Sequence, residues 1–386
     1  MQNAARVAIT TGIAAVLAAL SLAPAAAQVP PFDPGAQQDT LAPRASDPPV
    51  LRRNLRNVLG GVPMTAADSM RQQIVNRLEF DSYKELVRGL TQFGDREQGT
   101  LRNAAAVDWI ELQLRSWGYE TERLYYEFTP RTRPGVEPPP PSPRSQVYAT
   151  KIGATNPGEM YIISAHMDGR GGGEAANDNG SGTALVMEIA RVLASDDITS
   201  DRSIRFALWN NEETGLNGAT AYVEQRAELQ GIENPSGSGR YAEPRWLGMI
   251  QHDMMMWDHG NPVTYDQALD ADVDVEYQLN STFADASALL GITLINANRM
   301  HASDYPAVLS NSMSNTDSTP FMNLVPAVSL RENRRLYETG NRANPHWHQT
   351  TDLFETFSDA DFTLGLNAAQ TTLGALTKLA GIKIGG

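Results

Sequence analysis

The hydrophobic positions of this chain alternate between short continuous runs and longer segments in which apolar residues recur every three or four positions. The continuous runs predict buried strands, and the clearest lie at residues 161–166, 203–209, 246–251 and 325–330. The segments with helical spacing predict amphipathic helices, and the clearest lie at residues 102–117, 183–194, 217–229 and 357–379. Such alternation is typical of an α/β fold, so we predict a mostly parallel central sheet with helices on both faces.

Weaker patterns complete the predicted order of elements. Residues 119–128 alternate like a strand that could pair with residues 146–152, and the proline-rich residues 134–143 between them predict an extended surface excursion. The remaining apolar patterns predict one or two helices at residues 68–90, a helix at 277–290, a strand at 292–297 and a short helix at 316–323.

The first residues of the chain predict export. Arg6 precedes an apolar stretch at residues 7–22, and a run of small residues ends at Ala27, which is the pattern of a signal peptide cut after Ala27. A retained anchor is the alternative, but the stretch is shorter than the roughly 20 residues that a spanning helix needs. We therefore predict a secreted or periplasmic protein without stable membrane association, with a flexible leader or propeptide remnant at residues 28–60 and a single catalytic domain at 61–386.

The composition narrows the classes of partner. The formal net charge of -14 argues against nucleic acid or an anionic membrane surface, because both are polyanions that attract basic patches. The absence of cysteine excludes disulfides and thiol catalysis.

Side chains that bind metals follow three of the predicted strands. A histidine ends the first strand, a tight turn before the next helix holds an aspartate, and carboxylates follow the second and third strands. The residues concerned are His166, Asp168, Asp178, Glu212, Glu213 and Asp253. Because the carboxyl ends of parallel strands meet at one edge of a sheet, we expect these side chains to lie close together.

A late loop adds His346, His348 and Asp352. One imidazole and one carboxylate per ion, with a shared carboxylate, would form a site for two zinc ions. Each motif alone has a simpler interpretation, since an Asp-Asn-Gly turn often caps a helix and a Glu pair at a helix start often interacts with the helix dipole. Their common place at strand ends favours the metal site.

The order of these motifs resembles that of the two-zinc exopeptidases related to bacterial leucyl aminopeptidase and glutamate carboxypeptidase, metallopeptidase family 28. The resemblance rests on H-x-D, A-N-D-N-x-S-G, N-E-E, a single Asp after a further strand, and H-x-x-x-D. It covers roughly residues 95–352 and includes R-E-Q-G-T at residues 96–100 and S-N-T-D-S-T-P-F at 314–321. It implies the zinc-exopeptidase fold, which is phosphorylase/hydrolase-like.

The resemblance also implies a role for each residue. His166, Asp178 and Asp253 would hold one Zn²⁺, and Asp178, Glu213 and His348 the other, so that Asp178 bridges the two ions. Three further features follow from it. Asp168 would accept the second ring N–H of His166, Glu212 would be the general base for a water shared by the ions, and the Asp178–Asn179 peptide bond would be cis.

The catalytic set does not decide which end of a peptide is cut. We predict an aminopeptidase, because this is an exported chain of modest length in which no dimerisation insert is recognisable. A carboxypeptidase or dipeptidase is the alternative, since Arg331, Arg334 and Arg335 could grip a terminal carboxylate, although they could also be a solvated loop. A glutaminyl cyclase would have a disrupted second metal site, and a non-catalytic homologue would have a broken catalytic site. The sequence predicts neither, since all five ligand positions and the base are present.

Several residues near these motifs receive other interpretations. His346 is expected at the rim, and His252 is expected to face away from the ions because adjacent strand residues point to opposite sides. His259 and His301 are expected to be structural. Residues 254–257 line a substrate pocket or pack in the core, and the glycines at 169–173 leave space for the metals.

Overall fold

The computed structural model describes residues 64–258, 273–302, 304–333 and 344–385. These residues all belong to one compact unit, Arg44–Gly386. The predicted signal peptide and leader, and also His259, Arg334 and Arg335, lie outside the described residues.

The described residues begin with three α-helices followed by three strands, after which single α-helices are separated by pairs of strands. Their bounds are α1 Ala66–Val75, α2 Phe80–Thr91, α3 Leu101–Ser116, β1 Thr121–Phe128, β2 Ser142–Lys151, β3 Asn156–His166, α4 Gly182–Leu193, β4 Ile198–Thr199, β5 Arg202–Trp209, α5 Asn217–Arg226, β6 Arg245–His252, β7 Val273–Glu276, α6 Ala284–His301, β8 Ala307–Ser310, β9 Ala327–Arg331, α7 Asp359–Leu376 and β10 Lys383–Ile384. None of the helices in these ranges is both long and apolar enough to span a membrane.

Eight strands form one sheet in the order β1-β2-β5-β3-β6-β9-β7-β8, and β10 pairs with β4. The pairs β5–β3, β3–β6, β6–β9 and β7–β8 are parallel, whereas β1–β2, β2–β5 and β7–β9 are antiparallel. From β3 the chain passes to β5 on one side and then to β6 on the other. The strand order therefore reverses at β3, which is where α/β sheets place their ligand sites.

The two faces of the sheet are covered unequally. On β3, Ile163 and Ala165 belong to the core cluster that also contains residues of α1, α2, α3, α4, α6 and α7. Met160 and Ile162 point to the opposite face and belong to a smaller cluster with α5 and several aromatic rings. The predicted α/β fold with a mostly parallel sheet and helices on both faces is confirmed.

Helix α4 is apolar on nearly all sides rather than along a single face. Its residues from Gly182 to Ala190 are all buried, because the helix packs between β3 on one side and helices α2 and α7 on the other. A helix that is apolar on nearly all sides is expected in the interior of a large domain.

Three predicted elements are wrong. Residues 292–297 are not a strand but part of α6, in which Leu290, Leu294 and Ala297 are buried at helical spacing while Ile292 is 44% exposed. Residues 277–290 become helical only from Ala284, after the short strand β7 that the sequence analysis missed. Residues 316–323 form turns rather than a helix. Apolar runs this short fit either period, and only packing decides between them.

The packing of α4 gives a test of the fold. We expect Leu185→Ala to lower the free energy of unfolding by about 2–5 kcal/mol, because Leu185 is fully buried and its removal leaves a cavity. Urea denaturation measures this loss. Leu112→Ala on α3 is the matched control, since Leu112 is 63% exposed and its loss is expected to change stability by less than about 0.5 kcal/mol. Equal losses in the two variants would contradict the described packing.

Candidate metal centre

The end of β3 places His166 inside the protein. Its side chain is 1% exposed, and its Nε2 lies 3.4 Å from Oδ1 of Asp178 and 3.5 Å from Oδ1 of Asp253. Asp178 comes from the turn that leads into α4, and Asp253 follows β6. The carboxyl ends of two neighbouring strands and the start of a helix thus meet at one imidazole.

The second imidazole lies on the other side of Asp178. Nε2 of His348 is 3.1 Å from Oδ2 of Asp178 and 2.9 Å from Oε2 of Glu213, which follows β5. The two oxygens of Asp178 therefore face different histidines. The structure brings together all five residues that the resemblance assigned to zinc.

The side chains form two groups that suit metal ions. One group is His166, Glu212 and Asp253, the other is Asp178, Glu213 and His348, and within each the donor atoms lie within 4.8 Å of one another. The first group contains Glu212, which the sequence analysis assigned as the general base. The distances alone therefore do not distinguish a metal ligand from a general base at Glu212.

The chemistry of the donors fits zinc. Imidazole nitrogens and carboxylate oxygens are ligands that Zn²⁺ accepts. Oε1 of Glu213 is buried and has no hydrogen-bond partner among the described residues. A bound cation would coordinate this oxygen and so give it a partner. Burial, reinforced by the nearby Asp178 carboxylate, raises the pKa of Glu213 to about 7, and burial also raises the pKa of Glu212 well above its ordinary value. A divalent cation would offset this crowding of negative charge.

Asp168 acts differently from the expectation. The ring Nδ1 of His166 lies 3.0 Å from the main-chain oxygen of Asp168 but 3.7 Å from its carboxylate, so the main chain is the better acceptor. The Asp168 carboxylate instead accepts the backbone N–H groups of Glu212, at 3.1 Å, and Glu213, at 3.4 Å. Asp168 thus connects the segment after β3 with the segment after β5.

The turn before Asp178 is held by two buried side chains from distant parts of the chain. The Arg96 guanidinium donates hydrogen bonds to main-chain oxygens of Met167, Glu174 and Ala175 at 2.7–2.8 Å. The Asp352 carboxylate accepts the backbone N–H groups of Asn177 at 2.8 Å and Asp178 at 3.0 Å. Sequence analysis placed both residues in motifs but assigned them no role, and nothing in those motifs distinguishes a residue that binds the main chain.

The glycine loop does more than leave space for ions. Gly171 has a φ of +104°, and a Cβ at this position would lie 2.5 Å from the main-chain carbon of His348. A Cβ on Gly173 would lie 2.8 Å from the main-chain oxygen of Gln349. Glycine therefore lets this loop pack directly against the loop that carries His348.

The other histidines among the described residues, His252, His301 and His346, lie outside both groups, as predicted. His252 points away from the site, with ring nitrogens 3.0 Å from the main-chain oxygen of Ser164 and 2.8 Å from Oγ1 of Thr372. His346 contacts Thr351, and His301 at the end of α6 contacts Gln72.

Two further expectations can be compared with the structure. Met255 and Met256 belong to the main core cluster, which favours core packing over a substrate pocket for these two residues. The Asp178–Asn179 peptide bond is cis, as the resemblance implies.

Arg331 is not part of a solvated loop. It is 3% exposed and lies at the end of β9, where it forms ion pairs with Asp253 and Glu276. The alternative of a solvated arginine is therefore wrong for this residue.

Comparison with protein families matches most of the sheet to one family. The sequence model described as Peptidase family M28 matches residues 147–369. Among curated proteins, a probable zinc metalloprotease of Pyrenophora tritici-repentis is 30% identical over 180 residues, which cover 42% of this chain and 36% of that protein. Aminopeptidase YwaD of Bacillus subtilis is 43% identical over 72 residues, which cover 19% of this chain and 15% of that protein. The chain thus matches well under half the length of these relatives.

Solved structures share the fold at low sequence identity. An aminopeptidase from Aneurinibacillus sp. strain AM-1 superposes with a TM-score of 0.58 at 17% identity, covering 80% of this chain and 96% of that one. A glutaminyl cyclase from Porphyromonas gingivalis superposes with a TM-score of 0.55 at 20% identity, covering 79% of this chain and 99% of that one. An aminopeptidase and a glutaminyl cyclase therefore share this architecture, and the fold alone does not decide which of the two activities a protein has.

The contacts of Asp352 give a prediction for the metal centre. We expect Asp352→Ala to weaken zinc binding about 10- to 100-fold, because the N–H groups of Asn177 and Asp178 lose their acceptor and the turn that carries Asp178 is released. Zinc titration against a competing chelator measures the affinity. Glu355→Ala is the control, since its side chain is 82% exposed and it should leave zinc binding unchanged. Wild-type affinity in Asp352→Ala would mean that the turn is held without this carboxylate.

Proposed function

The chain belongs to peptidase family M28, and from this premise we propose that it is a zinc-dependent aminopeptidase that removes N-terminal residues from peptides. One observation carries the proposal. The oxygens of Asp178 lie 3.4 Å and 3.1 Å from the imidazoles of His166 and His348, which is the arrangement expected of a carboxylate that bridges two ions.

We assign the ligands on this basis. His166, Asp178 and Asp253 would hold the first ion, and Asp178, Glu213 and His348 would hold the second. Asp168 would position the ring of His166 through its main-chain oxygen and the two glutamates through its carboxylate. In this assignment Glu212, which groups with His166 and Asp253, is left for proton transfer.

The bound ions would polarise the peptide carbonyl and lower the pKa of a water molecule. In this proposal the carboxylate of Glu212 removes a proton from the attacking water and returns it to the nitrogen of the leaving amine. Burial raises the pKa of Glu212 well above its ordinary value, which supports this role because it makes the carboxylate a stronger base for the water proton.

The choice of aminopeptidase over carboxypeptidase or dipeptidase rests on charge. A carboxypeptidase needs a cation that is available to the terminal carboxylate of its substrate. Arg331 is buried against two carboxylates of the protein itself, at 3.1 Å and 3.3 Å, so its charge is already balanced. The acidic surroundings of the site suit the free ammonium group of an N-terminus instead. Several similar proteins are named as aminopeptidases, which supports the same choice.

Two other functions have less support. A glutaminyl cyclase that works on one zinc would have a disrupted second site, whereas here Asp178, Glu213 and His348 form a complete donor group. A non-catalytic homologue would lack a ligand or the base, and none of these is missing from the described residues.

Export remains part of the proposal. Arg6, the apolar residues 7–22 and the small residues up to Ala27 support a signal peptide cut after Ala27, and hence a secreted or periplasmic enzyme. N-terminal sequencing of the mature protein would test it, and an uncut N-terminus would contradict it.

The role of Glu212 can be separated from that of a ligand. We expect Glu212→Ala to lower kcat for aminoacyl substrates by about 10²- to 10⁴-fold, because the general base is lost, while two zinc ions per chain are retained. Metal analysis of the same sample distinguishes the roles, since loss of one zinc would make Glu212 a ligand. Glu224→Ala on the exposed surface of α5 is the control and should keep full activity.

A substrate panel tests which end of the peptide is cut. We expect cleavage of peptides with a free N-terminus, including those with an amidated C-terminus, and no cleavage of N-acetylated peptides, because the acidic site would bind the free ammonium group. Mass spectrometry of the products identifies the residue released. Cleavage confined to N-acetylated peptides, or a purified wild-type protein without zinc, would overturn the aminopeptidase proposal.

A further inference from the structure

Asp253, a proposed ligand of the first metal ion, belongs to a chain of buried ion pairs with Arg331 and Glu276. Nη2 of Arg331 is 3.1 Å from Oδ2 of Asp253, and Nε of Arg331 is 3.3 Å from Oε2 of Glu276. The three side chains are at most 10% exposed. The family resemblance gave a role to Asp253 alone.

The two oxygens of Asp253 face different partners. Oδ1 lies 3.5 Å from Nε2 of His166, on the side of the proposed ion, whereas Oδ2 faces Arg331. A carboxylate can rotate about its last side-chain bond, so a fixed partner on one oxygen decides where the other points. Arg331 supplies that partner.

The sheet explains why these residues meet. In the parallel pair of β6 and β9, His252 lies opposite Leu330, and Asp253 donates its N–H to the main-chain oxygen of Leu330 at 3.0 Å. The next residue of β9 is Arg331, so its side chain reaches Asp253. In the antiparallel pair of β9 and β7, Glu276 lies opposite Ser329 and therefore diagonal to Arg331, on the same face of the sheet. Asp253 after β6, Arg331 on β9 and Glu276 on β7 thus bring three charges together on neighbouring strands.

Charge balance requires the guanidinium. Asp253 lies near the carboxylates of Asp178 and Glu212, which repel its negative charge when no cation is close. Arg331 is fully buried beside it and carries the compensating positive charge. A single positive charge lies between Asp253 and Glu276, so its removal would take the guanidinium away from two buried carboxylates.

We propose that Arg331 is a positioning residue that holds Oδ2 of Asp253 and is itself held by Glu276, so that Oδ1 of Asp253 stays directed at the first metal ion. The inference rests on the proposed function, since it needs an ion at Asp253. It predicts that Arg331 and Glu276 control the affinity of the first ion although neither binds it.

Zinc titration of chelator-treated protein against a competing chelator tests the proposal, because it resolves two affinities without using activity. We expect Arg331→Met to weaken one of the two zinc affinities about 10- to 100-fold and to leave the other unchanged. Glu276→Gln keeps the shape of its side chain and should weaken the same affinity, because it no longer holds Arg331 in place. Arg331→Lys should fall between, since one ammonium group cannot span both carboxylates.

A second buried pair in the sheet provides a matched control. Arg205 and Glu243 form an ion pair of 2.5 Å that is equally buried but belongs to the aromatic cluster and contacts none of the proposed ligands. Glu243→Gln should therefore lower the free energy of unfolding without changing either zinc affinity. If Glu243→Gln weakened zinc binding as much as Glu276→Gln, the effect would be general destabilisation and the proposal would be wrong.

The remaining outcomes are equally decisive. If Arg331→Met does not fold, Glu276→Gln decides, because this variant keeps Arg331 and its positive charge in the protein. Two wild-type affinities in a folded Glu276→Gln protein would overturn the inference while leaving the proposed function intact. A wild-type protein that binds no zinc would overturn both. The visible absorption of the cobalt-loaded protein gives a second readout, and it should change in Glu276→Gln but not in Glu243→Gln.

Discussion

Parallel hydrogen bonding of β3 to β5 on one side and to β6 on the other places three strand ends side by side. His166 lies opposite Trp209 and Ala165 lies opposite His252, so the three strands end at nearly the same level along the strand direction. His166 ends β3, Glu212 and Glu213 follow β5, and Asp253 follows β6, so this register brings together three of the five proposed ligands and the proposed base. Asp178 is added by the turn before α4, and His348 by a loop late in the chain.

This arrangement concentrates negative charge in a place that water reaches poorly. Burial raises the pKa of Glu213 to about 7 and that of Asp317, which lies near the same carboxylates, to about 8. Among the described residues, the opposing charges within ion-pair distance of the proposed ligands are two imidazoles and the guanidinium groups of Arg331 and Arg170. Cations bound among these carboxylates would relieve the repulsion, which gives the protein a physical reason to bind metal in addition to its chemical use.

The main chain around the site is fixed by side chains that bind no metal in this proposal. Arg96 holds the carbonyl groups on one side of the turn that carries Asp178, and Asp352 holds the N–H groups on the other. Arg96 comes from the segment between α2 and α3, which precedes the residues 147–369 matched by the family model. The first helices therefore contribute to the site as well as to the core.

The sequence by itself determined the central strands, the fold class and the identity of the residues that meet at the site. Those strands are continuous apolar runs, and they end at His166, at Asn210 before the two glutamates, and at the His252–Asp253 pair. Both the apolar run and the polar residues that end it are therefore visible in the local sequence. Only the tertiary structure decided that residues 292–297 are helical, because their burial depends on what α6 packs against. It also decided that the main-chain oxygen of Asp168 is the closer acceptor for His166, that Arg96 binds carbonyl groups, and that Arg331 is buried beside Asp253. These contacts join residues that are far apart in the chain or depend on side-chain orientation, and no local pattern of polar and apolar positions encodes them.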